Sequence, residues 1–229
     1  MHSIVVHTMN VAVVHTSAEV DLYSKFFSVP KSRFIFIPYF HYEHDAGPSV
    51  ESPPNKSVNV LAIGRHRDFD CFIRAAKGSP WQGVIVAGDS DRKELDGKVP
   101  SNVAAHYEVS RSEYRDFIAK SDIVVIPLDP YRWQRALGQV AMFEAMLMGK
   151  PVVAAKTFQL TDYASDDEVL FYRPGDSDHL RDQIYRLLED EDLRCRLTQN
   201  ARTRLLTEFT RERYISDLVE ISQSMCVSF

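Results

Sequence analysis

GQVAMFEAMLMGKPVVAA, residues 138–155, reads as a helix that runs directly into a buried strand. Gly138 and Gln139 open the helix, Gly149 suits a left-handed C-cap, and Pro151 forbids continuation. Val152 and Val153 then begin a short apolar strand. Glu144 is the odd residue, a carboxylate among Met142, Phe143, Ala145, Met146 and Leu147. Burying it unpaired is costly, so it must point out of the core or meet a partner. Glycine at 138 removes a side chain where free backbone N–H groups would let an anion approach. One short helix thus offers an anion site at its start and a carboxylate further along. The pair suits a nucleoside diphosphate, with phosphates at the N-terminus and ribose hydroxyls on Glu144. On periodicity alone Glu144 is equally a solvent-facing residue, because Val140, Phe143 and Leu147 form the apolar stripe.

Strands and helices alternate on both sides of this stretch. VNVLAIG ends a strand at Gly64, Asp68 to Lys77 is helical, and GVIVAGD ends a strand at Gly88. DSDRKELDGKVPSN reads as a surface loop, VAAHY as a short strand, and Ser110 with Glu113 as a capping box. DIVVIPL is a buried strand, and residues 129–137 form a loop before the central helix. Downstream come a short polar helix around TDYASDD, a strand VLFYR, and helices broken near Glu189 to Asp192, with Thr210 capping the last. Upstream, residues 3–7 and 11–15 read as strands, Ser17 as the cap of a helix ended by Pro30, and RFIFIPYF as another strand. The polar, proline-rich HYEHDAGPSVESPPNK is a linker. This alternation predicts an α/β fold, a Rossmann-like parallel sheet with helices on both faces, whose ligands bind beyond the carboxyl ends of the strands.

The chain has 229 residues, 45% of them hydrophobic and 26% charged, and a net charge of −5. That is a globular composition with room for a substantial core, and its acidity argues against nucleic acid as a partner. Cys71, Cys195 and Cys226 are odd in number and lack metal spacing, which predicts reduced thiols in a cytoplasmic protein. No apolar run is long enough to cross a membrane, which leaves peripheral association open.

The candidate polar residues fall on one sheet edge. Arg65 and Arg67 follow Gly64; taken alone they suit a solvated loop beside Asp68 and Asp70 better, and with the Gly138 helix on the same edge they point to neutralising a diphosphate. G-x-G-x-x-G is absent after every strand and no Walker A sequence occurs, which disfavours NAD, FAD and P-loop chemistry. His41, Glu43 and His44 have a loose metal-ligand look, but they lie in the linker with no further ligand in evidence, and a flexible polar segment is the better reading. A response-regulator-like domain would place acidic residues at the first strand end, where this chain has Gly64 and Arg65.

GRHRDFDCFIRAAK, VIVAGD, EYRDFIAKSDIVVIPL, GQVAMFEAMLMGKPVVAA and the tail LTDYASDDEVLFYRPGDSDHLRDQIYRLLED follow one another in a telling order. Together they resemble the C-terminal, donor-binding domain of GT-B glycosyltransferases of the retaining group 1 type, over residues 58 to about 215. The resemblance implies a division into 1–45, a remnant of the N-terminal domain; 46–57, a linker; 58–209, the donor-binding domain; and 210–229, a crossover helix. It implies that Glu144 holds the ribose, that Gly64, Arg65 and Arg67 serve the phosphates, and that Gly138 and Gln139 lie in the diphosphate loop. Tyr107 and Val109 lie in the segment from Tyr107 to Ser110, whose backbone would hold the base. The implied ligand is a nucleotide-diphosphate sugar, UDP- or GDP-linked, with no cofactor and no metal. Two departures stand out. The first Glu of the family's E-x7-E signature is Ala136 here, and most of the N-terminal domain is missing. A non-catalytic nucleotide-sugar-binding or interaction module is therefore the alternative to an active donor half. Tyr39, Phe40, Trp133 and the last helix would leave apolar surface uncovered, which predicts an acceptor-domain partner or a homo-oligomer.

Overall fold

The computed structural model describes residues 8–41, 57–129 and 136–226. In chain order the elements are β1 (Ala12–Val14), α1 (Ser17–Phe27), a single 3-10 turn (Lys31–Arg33), β2 (Phe34–Phe36), β3 (Asn59–Ile63), α2 (Phe69–Ala76) and β4 (Gln82–Ala87). There follow α3 (Asp89–Leu95), β5 (Val103–Tyr107), α4 (Arg111–Lys120), β6 (Ile123–Ile126), α5 (Gln139–Leu147) and β7 (Val152–Ala155). The chain continues through α6 (Phe158–Thr161), β8 (Leu170–Tyr172), α7 (Ser177–Glu189), α8 (Glu191–Glu208) and α9 (Arg211–Cys226).

Six strands form one parallel sheet in the order β5-β4-β3-β6-β7-β8. The order reverses direction at β3, since β3 to β4 steps one way and β6 to β7 the other. Right-handed crossovers then put α2 and α5 on opposite faces. The packing agrees: α2 lies against α7, while α5 lies against α4 and α8. All four residues of β6 and all four of β7 are buried, as strands covered on both faces must be. Trp81, Phe72, Tyr163 and Tyr172 are the largest side chains of this core.

The N-terminal unit is small. β1 and β2 pair in parallel from Ala12–Phe34 to Val14–Phe36, over a separate cluster of Val14, Val29 and Phe34. Hydrogen bonds tie it to the segment that follows α6. The Ser17 backbone N–H and hydroxyl donate to Asp162 at 2.8 Å, Tyr163 donates its hydroxyl to the His15 carbonyl, and Tyr39 N–H donates to that same hydroxyl at 2.9 Å. The ring of Tyr214 on α9 lies 4.8 Å from Phe40 and 6.1 Å from His15.

Several local readings of the sequence are corrected. Residues 89–95 form α3, not a loop; only Leu95 of this polar segment is a buried apolar anchor, so it shows no periodicity. Thr16, not Ser17, caps α1, because Glu19 N–H donates to its hydroxyl and the Ser17 hydroxyl is spent on Asp162. The strand expected over 33–40 is only Phe34–Phe36, as its partner β1 is three residues long. The short helix expected around TDYASDD lies earlier, at Phe158–Thr161, and a Ser165–Glu168 turn follows it. Tyr39 and Phe40 stack on each other at 5.4 Å instead of lying bare, while Phe26 is 79% exposed. The strand at 3–7, Trp133, most of the linker and most of the 129–137 loop lie outside the described residues.

Candidate nucleotide-sugar site

The loops at the carboxyl edge of β3, β4, β5 and β6 converge where the topology reverses. Gly64 ends β3 at φ 124, a conformation that side chains rarely adopt, and His66 follows at φ 57. This turn sends Arg65 and Arg67 in different directions. Arg67 folds back over Gly64 and is buried. Its Nε donates to the Ile63 carbonyl at 3.2 Å and its Nη1 to the Arg65 carbonyl at 2.9 Å. Burial pulls its proton affinity down. Arg65 faces solvent and donates from Nη2 to Glu108 at 2.8 Å. The expected pair of equivalent phosphate-facing arginines is therefore one exposed guanidinium and one that braces the loop from beneath.

Glu108 joins three loops. It sits at φ 49 after β5, takes Arg65 on one oxygen, and accepts the Asp89 N–H on the other at 2.7 Å. Glu108 is exposed, whereas Asp91 is buried and accepts from Gly88 N–H at 3.1 Å and more weakly from His66 N–H at 3.3 Å. Tyr107 lies beneath the Arg92 guanidinium, 4.4 Å from ring centroid to carbon. Val109 packs partly buried against the core. Tyr107 and Val109 thus flank the Glu108 turn and frame the exposed backbone between β5 and α4.

Gly138 caps α5 at φ 96. A Cβ there would meet Leu160 at 3.0 Å, Leu128 at 3.2 Å and Ile126 at 3.3 Å. Core crowding and the left-handed backbone therefore require the glycine, rather than room for an anion. The helix start is still an anion-attracting element. Intrahelical bonding begins with Met142 N–H to the Gly138 carbonyl at 3.0 Å, which leaves the preceding amides without helical acceptors. The Gln139 side chain does not join them, since it is buried and donates to the Gln159 carbonyl at 2.9 Å.

Glu144 lies on the α5 flank that faces α4, with only 12% of its side chain exposed. Its carboxylate is 3.4 Å from Arg115 Nε. Tyr114 completes the layer. Burial pushes its hydroxyl up to about 12, Arg67 pulls the other way, and Glu144 adds to the rise. Arg67, Tyr114 and Glu144 therefore share one electrostatic environment between the β3 loop and α5. Sequence reading missed Arg115, Glu108 and Asp91. Only Asp91 carried a local signal, as the third residue after Gly88 at a helix start. Among the described residues no cluster of His, Cys, Asp and Glu could hold a metal; His41 is buried, and Glu43 and His44 lie outside the described residues.

This edge brings together an exposed guanidinium at Arg65, the start of α5 and the mostly buried carboxylate of Glu144. The family model described as glycosyl transferase-like matches residues 65–220. Sucrose-phosphate synthase from Thermosynechococcus elongatus superposes with a TM-score of 0.78 at 19% identity, over 100% of this chain and 61% of that one. HepE from Anabaena, solved in complex with UDP-glucose, superposes with 0.77 at 19% identity, over 94% and 64%. The C-terminal domain of a group 1 glycosyl transferase family protein, LpcC from Francisella tularensis, gives 0.55 at 22% identity, over 67% and 87%. This chain spans 61% to 64% of the length of the first two. Comparison with curated proteins finds no match.

Proposed function

This chain belongs to the glycosyl transferase-like family, and from that premise we propose that its main sheet is the donor-binding half of a retaining glycosyltransferase for a UDP- or GDP-linked sugar. The observation that carries this reading is the convergence, at one sheet edge, of the exposed Arg65 guanidinium, the Gly138 helix start and the Glu144 carboxylate. The diphosphate lies against the free amides of α5 with Arg65 as counter-charge. The ribose hydroxyls reach Glu144, which shares its carboxylate with Arg115. The base rests over Tyr107 to Val109.

In the reaction the bond from the sugar's anomeric carbon to the diphosphate oxygen breaks, a bond to the acceptor's hydroxyl oxygen forms on the same face, and the hydroxyl proton passes to the departing diphosphate. The charge that grows on the leaving diphosphate falls where cationic and dipolar groups already point. The acceptor and the second wall of the cleft come from chain outside these residues, from a partner or from a second copy. Ala136 favours one other reading, a nucleotide-sugar-binding module without turnover, because the signature's sugar-contacting carboxylate is missing there. Calorimetric titration with UDP, GDP, ADP and their hexose conjugates, on wild type and Glu144→Ala, tests the donor site. Saturable binding of one diphosphate, weakened by the substitution, is expected. Binding of none would overturn the reading.

A further inference from the structure

The loop before α5 is held from an unexpected direction. Glu19, in the first turn of α1, is 3% exposed. One carboxylate oxygen accepts the backbone N–H groups of His15 and Thr16, each at 3.0 Å. The other accepts the Tyr23 hydroxyl at 3.1 Å and the Ala136 N–H at 2.9 Å. Three of these donors belong to the N-terminal unit. The fourth lies 117 residues away, two positions before the glycine that opens α5.

A carboxylate offers about four acceptor positions, and all four are taken here. Glu19 therefore has no capacity left for a sugar or a phosphate, so it does not replace the carboxylate missing at Ala136. What it can do is position. The backbone at 136 is anchored by a charge-assisted bond, stronger than a neutral one. Ser17 bonds Asp162, just past α6, and Leu160 of α6 stands where a Cβ on Gly138 would meet it. The first turn of α1 thus holds both the segment that leads into α5 and the residue that follows α6.

We propose that Glu19 is a positioning residue: it sets the direction of the free amides at Gly138 and Gln139 and so tunes the affinity for the terminal phosphate of the donor nucleotide. The inference rests on the donor-site reading for its ligand. Through Glu19 the N-terminal unit acts as a brace for the phosphate loop.

The test is Glu19→Gln, which keeps the volume but replaces one accepting oxygen with a donor. Affinities for UDP and UMP, and for GDP and GMP, are measured by calorimetry on the full chain. The expected result is a fall of about tenfold in diphosphate affinity, as loss of one charge-assisted contact allows, with monophosphate affinity unchanged. Equal loss for both classes would mark a merely structural role and overturn the proposal, as would no change in either. Amide hydrogen exchange on the free proteins reads the brace without ligand. Faster exchange confined to the segment around residues 136–141 is expected in the variant, and unchanged protection there would overturn the brace. A wild type that binds no nucleotide overturns the donor reading and the ligand half of this inference, while the exchange result still decides the brace.

Discussion

The guanidinium of Arg67 occupies the space that a side chain on Gly64 would fill: a Cβ at 64 would lie 2.5 Å from Arg67 Nη2 and 2.6 Å from Nε. The two residues form one structural unit, a left-handed turn with a buried cation plugging it. Gly64→Ala must both strain the backbone at φ 124 and expel Arg67 from the Ile63 carbonyl. The expected cost is about 1–3 kcal/mol, read as a shift in urea midpoint, together with loss of nucleotide binding.

Arg65→Ala should separate stability from binding. Its pair with Glu108 is two-thirds exposed on the arginine side, so its removal should change stability by less than about 1 kcal/mol. Calorimetry should nonetheless show diphosphate affinity lowered by about tenfold or more. A variant that binds as wild type does would remove Arg65 from the site.

Arg115→Met leaves the Glu144 carboxylate mostly buried with its ion-pair partner gone. We expect a loss of about 1–3 kcal/mol in chemical denaturation. Arg115→Met with Glu144→Leu should recover part of that loss, since replacing both partners removes the uncompensated charge. A double variant as unstable as the sum of the singles would show that the pair is not coupled.

Gly138→Ala meets three core side chains at 3.0 to 3.3 Å and a left-handed backbone at once. It should destabilise by about 1–3 kcal/mol, measured by thermal unfolding. Gly97→Ala is the control, because that glycine has a positive φ with nothing within 4 Å; it should cost less.

Stability should decline in alkali through Cys71. Its thiol is fully buried, and desolvation pushes it from the ordinary value of 9.0 up to about 12. Between those values the unfolded chain has lost this proton and the folded chain keeps it. The thiol's contribution is therefore complete below about pH 9 and is lost as the pH rises toward the folded value. Urea midpoints followed from about pH 8 to about pH 11 should fall less steeply in Cys71→Ala than in wild type.

The sequence by itself determined the layered α/β architecture and the edge on which a ligand would sit. Strand and helix periods alternate, and right-handed crossovers leave little choice of where successive loops emerge. It determined the α5–β7 unit as well, because Gly149 and Pro151 act within one turn of their own position. Polar segments were less legible. α3 shows one buried apolar residue, too few for a period, and Ser17, the cap that the sequence suggests, is claimed by Asp162, which leaves the role to Thr16. The tertiary structure decided which of the arginines is exposed, what faces Glu144, and what holds the loop at Ala136. Arg115 and Glu19 meet their partners across 29 and 117 residues of chain, and no local pattern encodes a contact between elements that only the closed sheet brings together.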